Sequence, residues 1–253
     1  MNDQHILGID VGASGIKGGI VDIEKGALLA ERLRLETPVP ATPKNMAKTF
    51  AELVKMHDWD GPVGCGFPAI VQHGIARSAA NIDKKWKGVN IEEVLSNACQ
   101  CQVSVVNDAD AAGLAVMRYG LGKGKEGSVL VLTIGSGIGS ALFIDGTLVP
   151  NTEFGHITFK KKIAEHYVSN NARKQENLSW EEWGKRFNQY LKHIGRILSP
   201  DCVILSGGGS KKFELYEAFI TVKFPVMPSQ MLNNAGTVGA ALYAWEKIHK
   251  RAH

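Results

Sequence analysis

Asp10, Asp108, Glu153 and His156 are acid–base side chains, and all but Asp108 lie within a few residues of glycines, where a flexible backbone can aim N–H groups at an anion. The first such stretch is Asp10-Val11-Gly12-Ala13-Ser14-Gly15-Ile16-Lys17-Gly18-Gly19. It is not a Walker loop, because no Gly-Lys-Ser/Thr closes it, and no helical pattern follows to make it a dinucleotide fingerprint. What remains is a phosphate-cradling hairpin with Asp10 at its mouth, placed to hold a hydrated Mg2+. A second stretch, Asn107-Asp108-Ala109-Asp110, carries two carboxylates and no glycine. Phosphoryl transfer to an alcohol needs a carboxylate near the attacking hydroxyl and little else except positioning and charge neutralisation, so Asp108 reads as the general base. Asp110 keeps the plainer role of helix N-cap.

The third stretch, Gly135-Ser136-Gly137-Ile138-Gly139, follows an apolar β-branched run and favours phosphate. The fourth, Glu153-x-Gly155-His156, offers side chains that bind hydroxyls. The fifth, Ser206-Gly207-Gly208-Gly209-Ser210-Lys211-Lys212, is another strand-to-glycine turn. A plain Gly-rich turn with surface charges is the alternative at each of these, but three such turns in one chain argue against coincidence. Asn81 is a candidate substrate ligand, with a local turn as its alternative. Phosphate groups are held by backbone N–H groups and lysines. Lys17, Lys123, Lys125, Lys211 and Lys212 are the lysines assigned to phosphate, and Lys160 to Lys162 form a further group.

These residues need a scaffold of strands and helices. Strands are expected at His5 to Asp10, Ile20 to Ile23, Leu28 to Leu35, Val63 to Phe67, Val103 to Val106, Val129 to Leu132, Ser140 to Ile144 and Cys202 to Leu205. Helices are expected over Lys44 to His57, Ile91 to Ala98, Ala111 to Tyr119 and from Ser179 to about Leu198, the last opened by a capping box of Ser179 and Glu182. Asp145-Gly146 predicts a two-residue hairpin, Ala164 to Tyr167 a helical start, and Ala235 to Ala241 the head of a small-residue helix ending in a basic tail, Lys247 to His253. Asp108 then falls between a strand end and a helix start, where open α/β sheets place ligands.

The chain has 253 residues, 44% of them hydrophobic, enough for one large or two modest domains. No apolar run approaches the roughly 20 residues that cross a bilayer, and no signal-peptide pattern precedes the first strand, so a cytoplasmic protein without a membrane partner is expected. The four cysteines form neither a disulfide framework nor a zinc-type set. A net charge of +4 suits an anionic ligand without identifying one, and nothing points to nucleic acid.

Taken in order, Asp10-x-Gly12-x-x-x-x-Lys17, Asn107-Asp108-Ala109-Asp110, Gly135-x-Gly137-x-Gly139, Glu153-x-Gly155-His156 and Ser206-Gly207-Gly208-Gly209 resemble the ROK family of sugar kinases. More narrowly, Asn81-Ile82-Asp83-x-x-Trp86, Val149-Pro150-Asn151-Thr152-Glu153, Ala164-Glu165 and Leu178-Ser179-Trp180-Glu181-Glu182-Trp183 are similar to bacterial polyphosphate glucokinases, and the match covers nearly the whole chain. The resemblance implies an α/β, two-domain actin-like, ribonuclease-H-like fold with the sugar in a central cleft. It implies an N-terminal domain of residues 1–111 with 236–253, and a larger one of 112–235. It implies that Asp108 is the base for the sugar 6-hydroxyl, that Asn81, Asn107, Asp108, Glu153, His156 and Glu165 bind glucose, and that Gly12, Lys17, Gly135, Ser136, Gly137 and Gly208 line the phosphate path. The expected reaction moves a phosphoryl group from polyphosphate, or also ATP, to glucose with Mg2+, in a homodimer. An ATP-dependent hexokinase of the same family is the near alternative, and a non-catalytic sugar-sensing module the distant one. Many ROK kinases follow Glu-x-Gly-His with a cysteine-rich zinc loop. Here the residues after His156 contain no cysteine, so no zinc site is expected.

Overall fold

The computed structural model describes residues 4–229 and 234–250; the end of the basic tail, Arg251 to His253, lies outside the described residues. The chain divides into two compact units, one of residues 1–115 with 234–253 and one of 116–233.

In the first unit β1 (His5–Gly12) and β2 (Gly15–Asp22) form an antiparallel hairpin, followed by β3 (Ala27–Leu28), β4 (Leu33–Leu35) and helix α1 (Pro43–Met56). Next come β5 (Val63–Phe67), the small pair β6 (Val71–Gln72) and β7 (Ile75–Ala76), α2 (Ile91–Cys99), β8 (Val103–Asn107) and α3 (Asp108–Tyr119). The main sheet runs β3-β2-β1-β5-β8, with β4 also pairing β2. β1, β5 and β8 are parallel neighbours, so their C-terminal ends share one edge.

Strand alternation sorts the two faces of this sheet. Leu7, Ile9, Val63, Cys65 and Phe67 join Met46, Phe50, Leu53, Leu95 and Trp86 in one buried cluster. Gly8, Asp10, Gly64 and Gly66 alternate with them and face the other way. The expected single strand over Leu28 to Leu35 is broken by a bend at 29–32. The first glycine stretch is also less of a loop than its composition suggests: strand pairing continues to Gly12 and Gly15, and the turn is only Ala13 and Ser14.

In the second unit β9 (Ser128–Ile134), β10 (Ile138–Ile144) and β11 (Thr147–Val149) make an antiparallel meander. The β10–β11 turn is Asp145-Gly146, with positive φ at both residues as that hairpin requires. A short hairpin of β12 (Thr158–Phe159) and β13 (Lys162–Ile163) leads to helices α4 (Glu165–Val168), α5 (Asn170–Gln175) and α6 (Trp180–Ile197). The Ser179 and Glu182 capping box is formed in both directions, at 2.9 and 3.2 Å. Capping of this kind stabilises a helix by about 1 kcal/mol. β14 (Cys202–Ser206) and β15 (Val226–Pro228) add parallel strands, giving the order β11-β10-β9-β14-β15. Leu130, Leu132, Val203 and Leu205 bury against Trp183, Phe187, Tyr190 and Tyr216.

Helix α7 (Ala235–Lys250) belongs to the first unit. Its small residues lie on the glycine face of the sheet: a Cβ on Gly8 would run into the Thr237 carbonyl, and one on Gly64 into that of Ala240. Gly239 meets the Ala111 backbone of α3 in the same way. These glycines are required by close approach, not by unusual backbone angles.

Candidate active site

In the first unit the aligned ends of β1, β5 and β8 gather the acidic residues. Asp10 stands opposite Lys17 across one pairing and opposite Gly66 across the other. Gly66 sits between the two aspartates: a Cβ there would lie 3.9 Å from Asp10 Oδ1 and 3.6 Å from the Asp108 Cα. Burial holds the Asp10 carboxyl above its ordinary pKa, with Lys17 and Arg32 drawing it back down. Gly236 at the head of α7 leaves room for it, since a Cβ would come within 2.9 Å of the Asp10 Cγ.

Asp108 opens α3, and its Oδ1 accepts the Ala109 N–H at 2.9 Å. The N-cap is Asn107 and not Asp110. The Asn107 amide oxygen accepts the N–H groups of Ala109 and Asp110, at 2.9 and 3.1 Å, and its amide nitrogen donates to the Ala69 carbonyl at 3.0 Å. Asp110 lies three residues beyond the cap, inside the helix, and is buried. Asn107 is thus mainly a positioning residue for Asp108, with one amide hydrogen remaining for a ligand. Asn81 is exposed, in a loop pinned two residues on by Asp83, whose carboxylate accepts the Lys85 N–H, and by buried Trp86, whose indole donates to the Ala41 carbonyl.

Gly12 and its neighbours are held from outside. Thr37 donates to the Gly12 carbonyl and Arg34 to that of Ser14, both at 2.6 Å. Arg34, opposite Lys17 across β2 and β4, adds a cation that motif reading missed, because only strand register brings it there.

In the second unit the parallel ends of β9 and β14 open side by side into the other two glycine turns. The Gly209 N–H donates to the Ile134 carbonyl at 3.0 Å, tying one turn to the strand that feeds the other. The Ser210 hydroxyl donates to the Gly207 carbonyl and the Tyr216 hydroxyl to that of Gly209, at 2.8 and 3.2 Å. Gly207 has φ of 78° and Gly209 is crowded by Ile134, so the protein itself demands glycine at both. Gly135 and Gly208 differ: neither has positive φ, and a Cβ on either would meet no protein atom within 4 Å. Ser136 between the glycines is exposed.

Three of the six residues that the resemblance assigns to sugar, Glu153, His156 and Glu165, come together here. His156 Nδ1 lies 2.8 Å from Glu153 Oε2, and Nε2 lies 3.4 Å from Glu165 Oε1. Glu165 also accepts the Ile138 N–H at 3.2 Å and occupies the space a Cβ on Gly137 would need. Buried Ser140 brackets Glu153, donating to the Thr152 carbonyl and accepting the Phe154 N–H. Buried Tyr190 donates to the Phe154 carbonyl at 3.1 Å. Desolvation raises the Glu153 pKa, His156 opposes this and Glu165 adds to it. Among the described residues no three His, Cys, Asp or Glu side chains form a metal cluster.

Lys211 and Lys212 are exposed directly after the Gly207 to Gly209 turn. Lys123 and Lys125 are not brought to it. They precede the start of β9, where Lys125 lies near Asp201 and Cys202, at the N-terminal end of the same strands whose C-terminal ends carry the glycines. Seven residues of strand separate the two ends by roughly 20 Å. Nearness in sequence to a glycine-rich strand misled because a strand carries its two ends apart.

Each α/β unit thus carries its own set of polar side chains and glycines at the C-terminal ends of its strands. Residues 6–165 match the model of the ROK family, and the chain belongs to that family. It is 45% identical over 240 residues to the polyphosphate glucokinase of Mycobacterium tuberculosis, covering 94% of this chain and 91% of that protein. The crystal structure of an inorganic polyphosphate/ATP-glucomannokinase from Arthrobacter sp. strain KM superposes with a TM-score of 0.92 at 44% identity, covering 96% of this chain and 99% of the other. A Streptomyces griseus ROK family glucokinase, solved with glucose and AMPPNP, shares the fold, with a TM-score of 0.79 at 22% identity over 95% and 99% of the two chains.

Proposed function

We propose that this protein transfers the terminal phosphoryl group of inorganic polyphosphate, and of ATP as a second donor, to the 6-hydroxyl of glucose. The observation that carries the reading is the open space at Gly135 and Gly208. No protein atom and no backbone angle requires glycine there; both lie just past the adjacent ends of β9 and β14, and Gly135 is two residues from Gly137, against which Glu165 packs. The relatives named above, one a polyphosphate glucokinase and one a polyphosphate/ATP-glucomannokinase, support the same chemistry.

In this mechanism Glu153, His156 and Glu165 bind and orient glucose hydroxyls, with Asn81 and the remaining Asn107 amide hydrogen as further ligands. Asp108 accepts the proton of the 6-hydroxyl as that oxygen attacks the terminal phosphorus, and the shortened donor leaves with the electrons of the broken P–O bond. The glycine turns, with Lys17, Lys211 and Lys212, hold the donor's oxygens. Asp10 fits Mg2+: burial makes its isolated charge costly, and Mg2+ is commonly held by one or two carboxylates with substrate phosphates instead of an all-protein cage. When bound, Mg2+ would neutralise phosphate charge. The reading includes a cytoplasmic homodimer.

Glucose 6-phosphate formation with polyphosphate or ATP as sole donor tests the proposal. Product with both is expected, lost with EDTA and restored with Mg2+. The KM for long polyphosphate should rise steeply as salt shortens the Debye length to about 8 Å, while that for glucose barely moves. Product with ATP alone would leave an ATP hexokinase in its place.

A further inference from the structure

We propose that Arg173 binds the donor chain beyond its reacting end, making the enzyme sensitive to polyphosphate length; this rests on the phosphate reading of the Gly207 to Gly209 turn. Arg173 lies in α5 and is locked in place. Its Nε donates to Asn170 Oδ1 at 3.3 Å, one terminal nitrogen donates to the Leu178 carbonyl at 3.0 Å, and the guanidinium lies 4.1 Å from the centre of the Trp180 ring. Trp180 also stacks on Tyr216, 5.8 Å between centroids and 19° between planes. Tyr216 in turn holds the Gly209 carbonyl through its hydroxyl. A single aromatic column therefore fixes a guanidinium relative to the glycine turn.

Arg186 supplies an internal comparison. It too lies over an aromatic ring, 4.5 Å from the centre of Tyr167, but it is neutralised by Glu176 at 2.7 Å. Arg173 has no carboxylate within ion-pair distance among the described residues, and its second terminal nitrogen keeps its donors. A rigid, half-buried, uncompensated guanidinium is suited to a phosphate oxygen, and its ordering cost is already met by the fold. A guanidinium pairs with phosphate oxygens in a bidentate fork, so the ligand that fits is an extended inorganic phosphate chain. Exposed Lys212 follows the same glycine turn and extends the cationic track.

The test compares wild type, Arg173→Gln and Arg173→Lys with tripolyphosphate, long-chain polyphosphate and ATP as donors. Arg173→Gln is expected to raise the KM for long chains roughly 3- to 30-fold, with little change for tripolyphosphate, ATP or glucose. Arg173→Lys should recover part of the loss; where Arg173→Gln folds poorly, the lysine variant alone should show a smaller rise graded by chain length. An equal shift for every donor, or a shift in glucose KM, would mark Arg173 as a structural tie between α5 and Leu178 and overturn the inference. A wild type that uses polyphosphate, matched by the variants at every length, overturns it alone. A wild type using no polyphosphate overturns the functional reading and this inference with it.

Discussion

The two units carry their strand-end residues in opposite ways. At the ends of β1, β5 and β8 the surroundings of the aspartates are determined by the protein: Asn107 caps α3, Gly236 makes room for Asp10, and Gly8 and Gly64 admit α7. At the ends of β9 and β14 Gly207 and Gly209 are likewise required from within, while Gly135 and Gly208 open onto space that no protein atom fills. The first arrangement suits a carboxylate that must not move. The second suits a ligand that comes and goes, so the reasons for being glycine separate scaffold from site.

The largest test of this contrast is Asp108→Asn, which keeps shape and removes the proton acceptor. A fall in kcat of about 10² to 10⁴ fold is expected with unchanged melting temperature and nearly unchanged glucose binding. A variant retaining most of its turnover would remove the base from the first unit. Gly64→Ala should instead act on stability, by about 1–3 kcal/mol or more, because its methyl collides with helix backbone that cannot step aside. Denaturant unfolding measures this, and an unperturbed midpoint would contradict the packing account. Glu165→Gln should weaken glucose binding roughly tenfold by exchanging a charged acceptor for a neutral one; glucose titration equal to wild type would misplace the sugar site.

Gly208→Ala sharpens the comparison most directly. Its stability should stay within about 0.5 kcal/mol of wild type while the donor KM rises severalfold, since the methyl would stand only in ligand space. Loss of stability without a donor effect would erase the distinction drawn between the two units. The smallest effect concerns pH. Glu153 is held above its ordinary pKa chiefly by desolvation, so the folded protein keeps this proton more tightly than the unfolded chain does. Its contribution to stability therefore declines as pH rises from the ordinary value of 4.5 through the raised one. Glucose affinity, which uses the charged carboxylate, should rise over the same interval. Glu153→Gln should flatten that part of the affinity profile, and a profile identical to wild type would assign it to another group.

By itself the sequence determined what local chemistry can encode. The order of motifs, the Asp145-Gly146 hairpin, the Ser179 and Glu182 capping box and the position of Asp108 between strand and helix all depend on residues close together in the chain. Tertiary structure decided what depends on register and close approach. It made Asn107 the cap, brought Arg34 opposite Lys17, set His156 between Glu153 and Glu165, and put Lys123 and Lys125 at the far end of β9. It also separated glycines that face helix backbone from glycines that face open space. Every glycine reads alike in sequence, because the side chain it lacks is informative only when the atoms that would have met it are in place.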